Sequence, residues 1–313
     1  MTNGMHSNAQ RLLLLVLFVI AGNVPAADPL ISPPTLTRRT IAPDKNLQGG
    51  PNSKELSLRD GDMQFTLFVP QSVASDTCRL TIHFHTAAWF IIQEHVRRGA
   101  TNPLACFHLG EGSTVYRRPF EDGEQLNRCI SAVEKKLGEL GSRPRVVVSD
   151  LELSSFSAGY GAIREIVKSP DYRERIKAIV LADSMYGSLE TNVVDPQSVR
   201  RPAKEHVDAW LPFARAAMSG SKTFVLSYSE VPTATYASSS ECADALARRL
   251  DLTPSVVPPK SEPATTDPEF PLLRRVDSGG LHLWGYGGTN AQAHMTHARH
   301  LADLWRAIEK GSR

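Results

Sequence analysis

The chain has 313 residues with 41% hydrophobic content, enough apolar mass for one large core. Its net charge of +2 comes from interspersed acids and bases. No basic block points to nucleic acid, and no acidic tail points to a disordered segment.

The N-terminus has the layout of an export signal. Arg11 precedes the apolar run Leu12 to Ala21, and Val24-Pro-Ala-Ala27 supplies small residues for cleavage, so residues 1–27 read as a signal peptide. The run is short for a bilayer span. An uncleaved anchor is the alternative, but no stable membrane span is expected after cleavage. The expected location is periplasmic or secreted. Residues 28–54, rich in Pro, Thr, Asn and Gly, read as an extended mature N-terminus. Export would put Cys78, Cys106, Cys129 and Cys242 in an oxidising compartment. A Cys106–Cys129 disulfide is the favoured pairing because it would join neighbouring elements; four free buried thiols are the alternative.

The folded domain is expected over residues 55–313. Leu56 to Asp60 and Met63 to Val69 alternate around Asp60-Gly61, a hairpin signal. Strands follow at Arg79 to His85 and Leu104 to His108. Leu126, Ile130, Val133, Leu137 and Leu140 recur at helical spacing, predicting a helix over Glu124 to Leu140. Val146 to Ser155 is a strand, Ala162 to Val167 a helix, and Ile176 to Ala182 a buried parallel strand. Val207 to Met218 reads as one helix and Thr223 to Ser229 as a strand. Ser238 and Glu241 form a capping box before a helix over Ala243 to Leu250. Leu252 to Pro271 is proline-rich loop, Leu281 to Tyr286 a strand, and His297 to Ile308 a closing helix. Alternating strands and helices after an early hairpin predict an α/β fold: a mostly parallel central sheet flanked by helices, with antiparallel strands at the N-terminal edge. The long connection at residues 188–204 is expected to form a cap over the site.

Chemistry concentrates where a strand runs into Ser155-Phe-Ser157-Ala-Gly159 and then a helix. A serine between small residues at such a turn is a nucleophile elbow, although Ser155 stands where a first glycine is usual. A serine hydroxyl needs a base within reach and a carboxylate to orient that base. In a doubly wound sheet both partners come from loops at the carboxyl ends of later strands, in the order serine, acid, histidine. Asp183 closes the buried strand Ile176 to Ala182 and is the favoured acid; Glu230, closing the next strand, is the rival. His294, in the loop before the final helix, is the favoured base, with His297 second. His300 reads as a partly exposed helix residue. The oxyanion requires backbone donors. The amide of Ala158 is one, and that of Thr86 or Ala87, in the loop after Ile82-His-Phe-His85, is the other.

These motifs resemble the α/β-hydrolase superfamily over most of residues 55–313. The segment His83-Phe-His85-Thr86 is similar to the His-Gly oxyanion motif of its esterases and lipases, with Thr86 replacing glycine. The resemblance implies that Ser157, Asp183 and His294 act as nucleophile, acid and base on a small-molecule ester, thioester or amide, without a cofactor. It does not name the substrate. Trp89, Phe90, Tyr160, Met185 and Tyr186 are candidates for the pocket wall.

Two other readings stay open. His83-x-His85 with His294, His297 and His300 could bind a metal ion in a metal-dependent hydrolase. The departures at Ser155 and Thr86 also fit an exported, non-catalytic binding protein.

Overall fold

The computed structural model describes residues 41–71, 75–190, 200–258, 267–268 and 270–310. The expected export signal and residues 28–40 lie outside them, as does most of the expected cap, residues 191–199.

The hairpin forms as its sequence implies. β1 (Lys54–Asp60) pairs with β2 (Met63–Val69) through Asp60↔Met63, and Gly61 supplies the positive φ (56°) that the two-residue turn requires. The remaining strands are β3 (Thr77–Phe84), β4 (Leu104–Phe107), β5 (Val147–Phe156), β6 (Ile176–Ala182), β7 (Thr223–Tyr228), β8 (Ser255–Val256), β9 (Leu272–Ser278) and β10 (Leu281–Tyr286). They form one sheet in the order β1-β2-β4-β3-β5-β6-β7-β10-β9-β8. The six strands from β4 to β10 run parallel. Antiparallel pairs flank both ends, β1–β2 at one edge and β9–β8 at the other. Only the first edge was expected; β9 and β8 overlap or adjoin the stretch read as proline-rich loop.

Alternation along the strands divides the core. Leu151 and Leu153 of β5, with Ile179 and Leu181 of β6, pack on one face under α3 (Gln125–Leu140), α4 (Tyr160–Ile166), α7 (Leu211–Met218) and α8 (Ser239–Arg249). Ala178, Val180 and Ala182, with Phe156, face the other side, under α1 (Ala88–Arg97) and α10 (Leu301–Lys310). Each large side chain so buried contributes about 1.5–3 kcal/mol before entropy is counted. Arg98, just beyond α1, reaches Glu152 of β5 at 2.5 Å and Thr81 Oγ1 at 2.8 Å, and its guanidinium lies 4.5 Å from the Trp305 ring centroid. This buried charge is paired and hydrogen-bonded, the condition under which burial is tolerated. Two further helices, α2 (Ser113–Phe120) and α5 (Pro170–Arg175), join the first face.

Several expectations are corrected. The helix read over Val207 to Met218 is two, α6 (Lys204–Asp208) and α7, because Pro212 sits in the first turn of the second, where a missing N–H costs nothing. The closing helix begins earlier and breaks at His300: α9 (Ala291–Arg299) precedes α10. His294 therefore lies in the first turn of α9, not in a loop before the helix. His300 is fully buried, bonded to Asp303 and Asp267 at 3.1 Å each, not partly exposed. The capping box of Ser238 and Glu241 forms at the start of α8.

All four cysteines are free thiols. Cys106 and Cys129 cannot bridge because they pack in opposite cores, Cys106 beneath α1 and Cys129 on α3. Burial pushes the Cys129 thiol up to about 11 and the Cys242 thiol up to about 12, which keeps both protonated and unreactive.

Candidate active site

The site is assembled at the carboxyl ends of β3, β5, β6 and β7. β5 ends at Phe156, and Ser157 starts a short 3₁₀ turn, Ser157–Gly159, that leads into α4. Ser157 has φ 50°, a left-handed conformation that costs a non-glycine residue energy and persists where the surroundings hold it. The turn also passes tightly over β3. A Cβ on Gly159 would sit 2.2 Å from the Phe84 carbonyl oxygen, so only glycine fits there.

Ser155 takes the place of the usual first glycine without crowding. Its side chain is buried, and its Oγ lies 2.8 Å from Ser184 Oγ. Ser184 Oγ donates to the Ser157 carbonyl at 2.7 Å, which leaves Ser155 as the donor to Ser184. This relay ties the elbow to the loop after β6.

Asp183 opens that loop, also left-handed at φ 41° and fully buried. Its Oδ2 lies 2.7 Å from His294 Nδ1. Ser229, just past β7, donates twice: its amide to Oδ1 at 3.1 Å and its hydroxyl to Oδ2 at 2.6 Å. Burial pushes the Asp183 carboxyl up, but attraction to His297, the bond to His294 and the Ser229 hydroxyl outweigh it, so the group ends below its ordinary value. An ionised Asp183 accepts from His294 Nδ1–H and leaves Nε2 with its lone pair.

His294 and Ser157 line one cleft of about 1210 Å³. The Phe156 ring, adjacent to Ser157 in the chain, stacks on the His294 imidazole with centroids 4.5 Å apart. Its distance to His85, which also lines the cleft, is 6.0 Å. Ala158 lines the cleft as well. Thr86 and Ala87 follow His85, and His85 and Thr86 are both left-handed, with φ 76° and 75°.

The rivals fall elsewhere. Glu230 is exposed, and its amide donates to the Gly288 carbonyl at 3.1 Å. His297 is fully buried behind the site with Nδ1 2.9 Å from Ser227 Oγ; burial lowers it to about 4. Among the pocket candidates, Tyr160 and Tyr186 line the cleft, with ring centroids 5.6 Å apart. Phe90 and Met185 are core residues, and Trp89 is exposed away from the lining. Ser188, at the start of the expected cap, lines the cleft, as do Glu205 and His206 just past its end. The described ends of the cap pair through Leu189↔Pro202.

The imidazoles proposed as metal ligands are engaged by protein groups. His83 bonds to Ser154 and the His85 carbonyl, His294 to Asp183, His297 to Ser227, and His300 to two aspartates. Among the described residues, no group of three or more His, Cys, Asp or Glu side chains is placed to hold a metal ion.

Sequence reasoning missed Ser229, Phe156 and Ser184. Ser229 had a signal, since it ends the strand expected beside that of Asp183. Phe156 and Ser184 had none, because their roles depend on cross-sheet contacts.

The sheet order, the elbow and the order of Ser157, Asp183 and His294 along the chain are those of the α/β-hydrolase fold. No family model and no curated protein sequence matches the chain. Solved structures do resemble it. The feruloyl esterase module from Clostridium thermocellum shares 9% identity, covering 88% of this chain and 95% of that one, with TM-score 0.49. The thermostable carboxylesterase EstE1 from a metagenomic library shares 12% over 84% and 89%, with TM-score 0.45. Est1E from Butyrivibrio proteoclasticus shares 11% over 83% and 99%, with TM-score 0.42.

Proposed function

We propose that the chain is an exported serine hydrolase that cleaves small carboxylic esters through an acyl-enzyme. The observation that carries this reading is the Asp183–His294 hydrogen bond of 2.7 Å beside a strained serine turn that opens on the same cleft. His294 Nε2 removes the Ser157 hydroxyl proton as Oγ attacks the carbonyl carbon. The amides of Ala158 and of Thr86 or Ala87 hold the oxyanion. His294 then returns the proton to the leaving alkoxide, and the alcohol departs. Water, deprotonated by the same imidazole, cleaves the acyl-enzyme and frees Ser157. Asp183 fixes the imidazole tautomer and balances the imidazolium charge.

The cleft wall carries Glu111, Arg117, Glu121, Arg164 and Lys168 alongside Tyr160, Tyr186, Val231, Pro232 and Tyr236. Its charged side chains favour a short acyl group and a polar partner over a long lipid chain. Amides and thioesters are accessible to the same chemistry at lower and comparable priority, respectively. Export rests on the apolar run Leu12 to Ala21 and the small residues after it. Among the described residues, no helix is long and apolar enough to cross a membrane.

Turnover of p-nitrophenyl acetate and p-nitrophenyl palmitate tests the proposal. The acetate is expected to turn over at least about tenfold faster, with all activity lost in Ser157→Ala. Equal activity in Ser157→Ala overturns the reading.

A further inference from the structure

His83 lies near the end of β3, fully buried, and has no part in the proposed acyl transfer. Its Nε2 is 2.9 Å from the His85 carbonyl oxygen, and its Nδ1 is 2.8 Å from Ser154 Oγ. A carbonyl oxygen can only accept, so Nε2 carries the proton. Nδ1 is then the acceptor, and Ser154 donates to it. The ring sits edge-on to Trp305, with centroids 5.9 Å apart, which fixes its plane. Burial lowers His83 to about 3, so the imidazole stays neutral and keeps this tautomer throughout the working pH range.

The His85 carbonyl is the first past the end of β3, and the chain leaves the sheet there through two consecutive left-handed residues, His85 and Thr86. The peptide between them is trans, so its C=O and N–H point in opposite directions. Holding the oxygen against His83 therefore aims the Thr86 N–H away from the His83 ring and Trp305. Among the described residues, that N–H meets no acceptor.

We infer that His83 is a positioning residue that locks the His85–Thr86 peptide so that the Thr86 amide faces the oxyanion. The role rests on the acyl-transfer reading of Ser157. The strained pair would otherwise relax by rotating this peptide, and the donor would swing out of line. Threonine can stand at the usual glycine position because the His83 bond helps to hold a conformation that threonine disfavours.

Steady-state kinetics with p-nitrophenyl acetate, and inhibition by a trifluoromethyl ketone that forms a tetrahedral serine adduct, test the assignment. His83→Leu is expected to lower kcat about 10- to 100-fold with KM within about threefold, and to weaken the ketone by a similar factor. His83→Gln, whose side-chain N–H reaches the place of Nε2, is expected to recover kcat to within about fivefold of wild type. A purely structural role would not produce this recovery together with the split between kcat and KM. An unchanged kcat in folded His83→Leu, or identical losses in the Leu and Gln variants, overturns the assignment. Should His83→Leu fail to fold, Ser154→Ala removes only the group that fixes the tautomer; a drop of about threefold or more in kcat at constant KM supports the role, and no change overturns it. Wild-type turnover that does not depend on Ser157 removes the acyl-transfer reading and this role together, whereas normal Ser157-dependent turnover with an indifferent His83 removes this role alone.

Discussion

Asp183 accepts three hydrogen bonds, two from Ser229 and one from His294, while buried from solvent. An amide in its place puts an NH₂ group against donors, and His294 must then carry its proton on Nε2 so that Nδ1 accepts from the amide. Asp183→Asn is therefore expected to lower kcat by about 10³- to 10⁴-fold, with circular dichroism and melting temperature close to wild type. Glu230→Gln is expected to change kcat by less than about twofold, because that side chain is exposed and His294 Nδ1 is already bonded to Asp183. The reverse pattern would move the acid role to Glu230. Ser157 and Asp183 were legible in the sequence because each closes an apolar strand, a local signal. The engagement of His83 was not legible. An alternating His-x-His reads the same on a strand whether the rings bind metal, fill space or hold a peptide, and the Ser154 that decides between them is 71 residues away.

At the scale of elements, the elbow depends on how closely it crosses β3. Gly159→Ala would force a methyl group to within 2.2 Å of the Phe84 carbonyl oxygen, so β3 or α4 must move. Denaturant melts are expected to show a loss of about 2–3 kcal/mol, with activity lost even in the folded fraction. A Gly159→Ala protein of unchanged stability and activity would contradict the packing. The hairpin, the parallel strands and the capping box were legible because turn chemistry and burial patterns are local. The break between α9 and α10 was not. It is fixed at His300, which is held between Asp303 and Asp267, and Asp267 lies 33 residues upstream in a stretch that reads as loop. β9 was hidden for a related reason, since its Leu-Leu-Arg-Arg-Val-Asp-Ser sequence lacks strict alternation and depends on pairing with β10. α1 begins with a continuous apolar run, whose sequence alone does not separate helix from buried strand.

The whole molecule carries a pH signature from its buried histidines. His83 and His297 are lowered to about 3 and about 4, and His95 is held well below its ordinary value, each mainly by burial. In the unfolded chain all three take up protons near the ordinary histidine value of about 6.5. Between the two ranges the unfolded state binds more protons, so stability is full above about pH 6.5 and is lost as pH falls toward 4. His83 and His297 each contribute a slope of about 1.4 kcal/mol per pH unit in that window, and His95 acts in the same direction. The melting temperature is expected to drop by roughly 10 °C between pH 7.5 and pH 5, and a flat profile would contradict neutral burial of these rings. The central claim is tested most directly by reacting the folded protein with a fluorophosphonate and locating the adduct by peptide mass spectrometry. Roughly one adduct per chain is expected, on Ser157, slowed strongly in His294→Ala and absent in Ser157→Ala. Labelling of Ser157→Ala at the wild-type rate, or an adduct elsewhere on the chain, would contradict it.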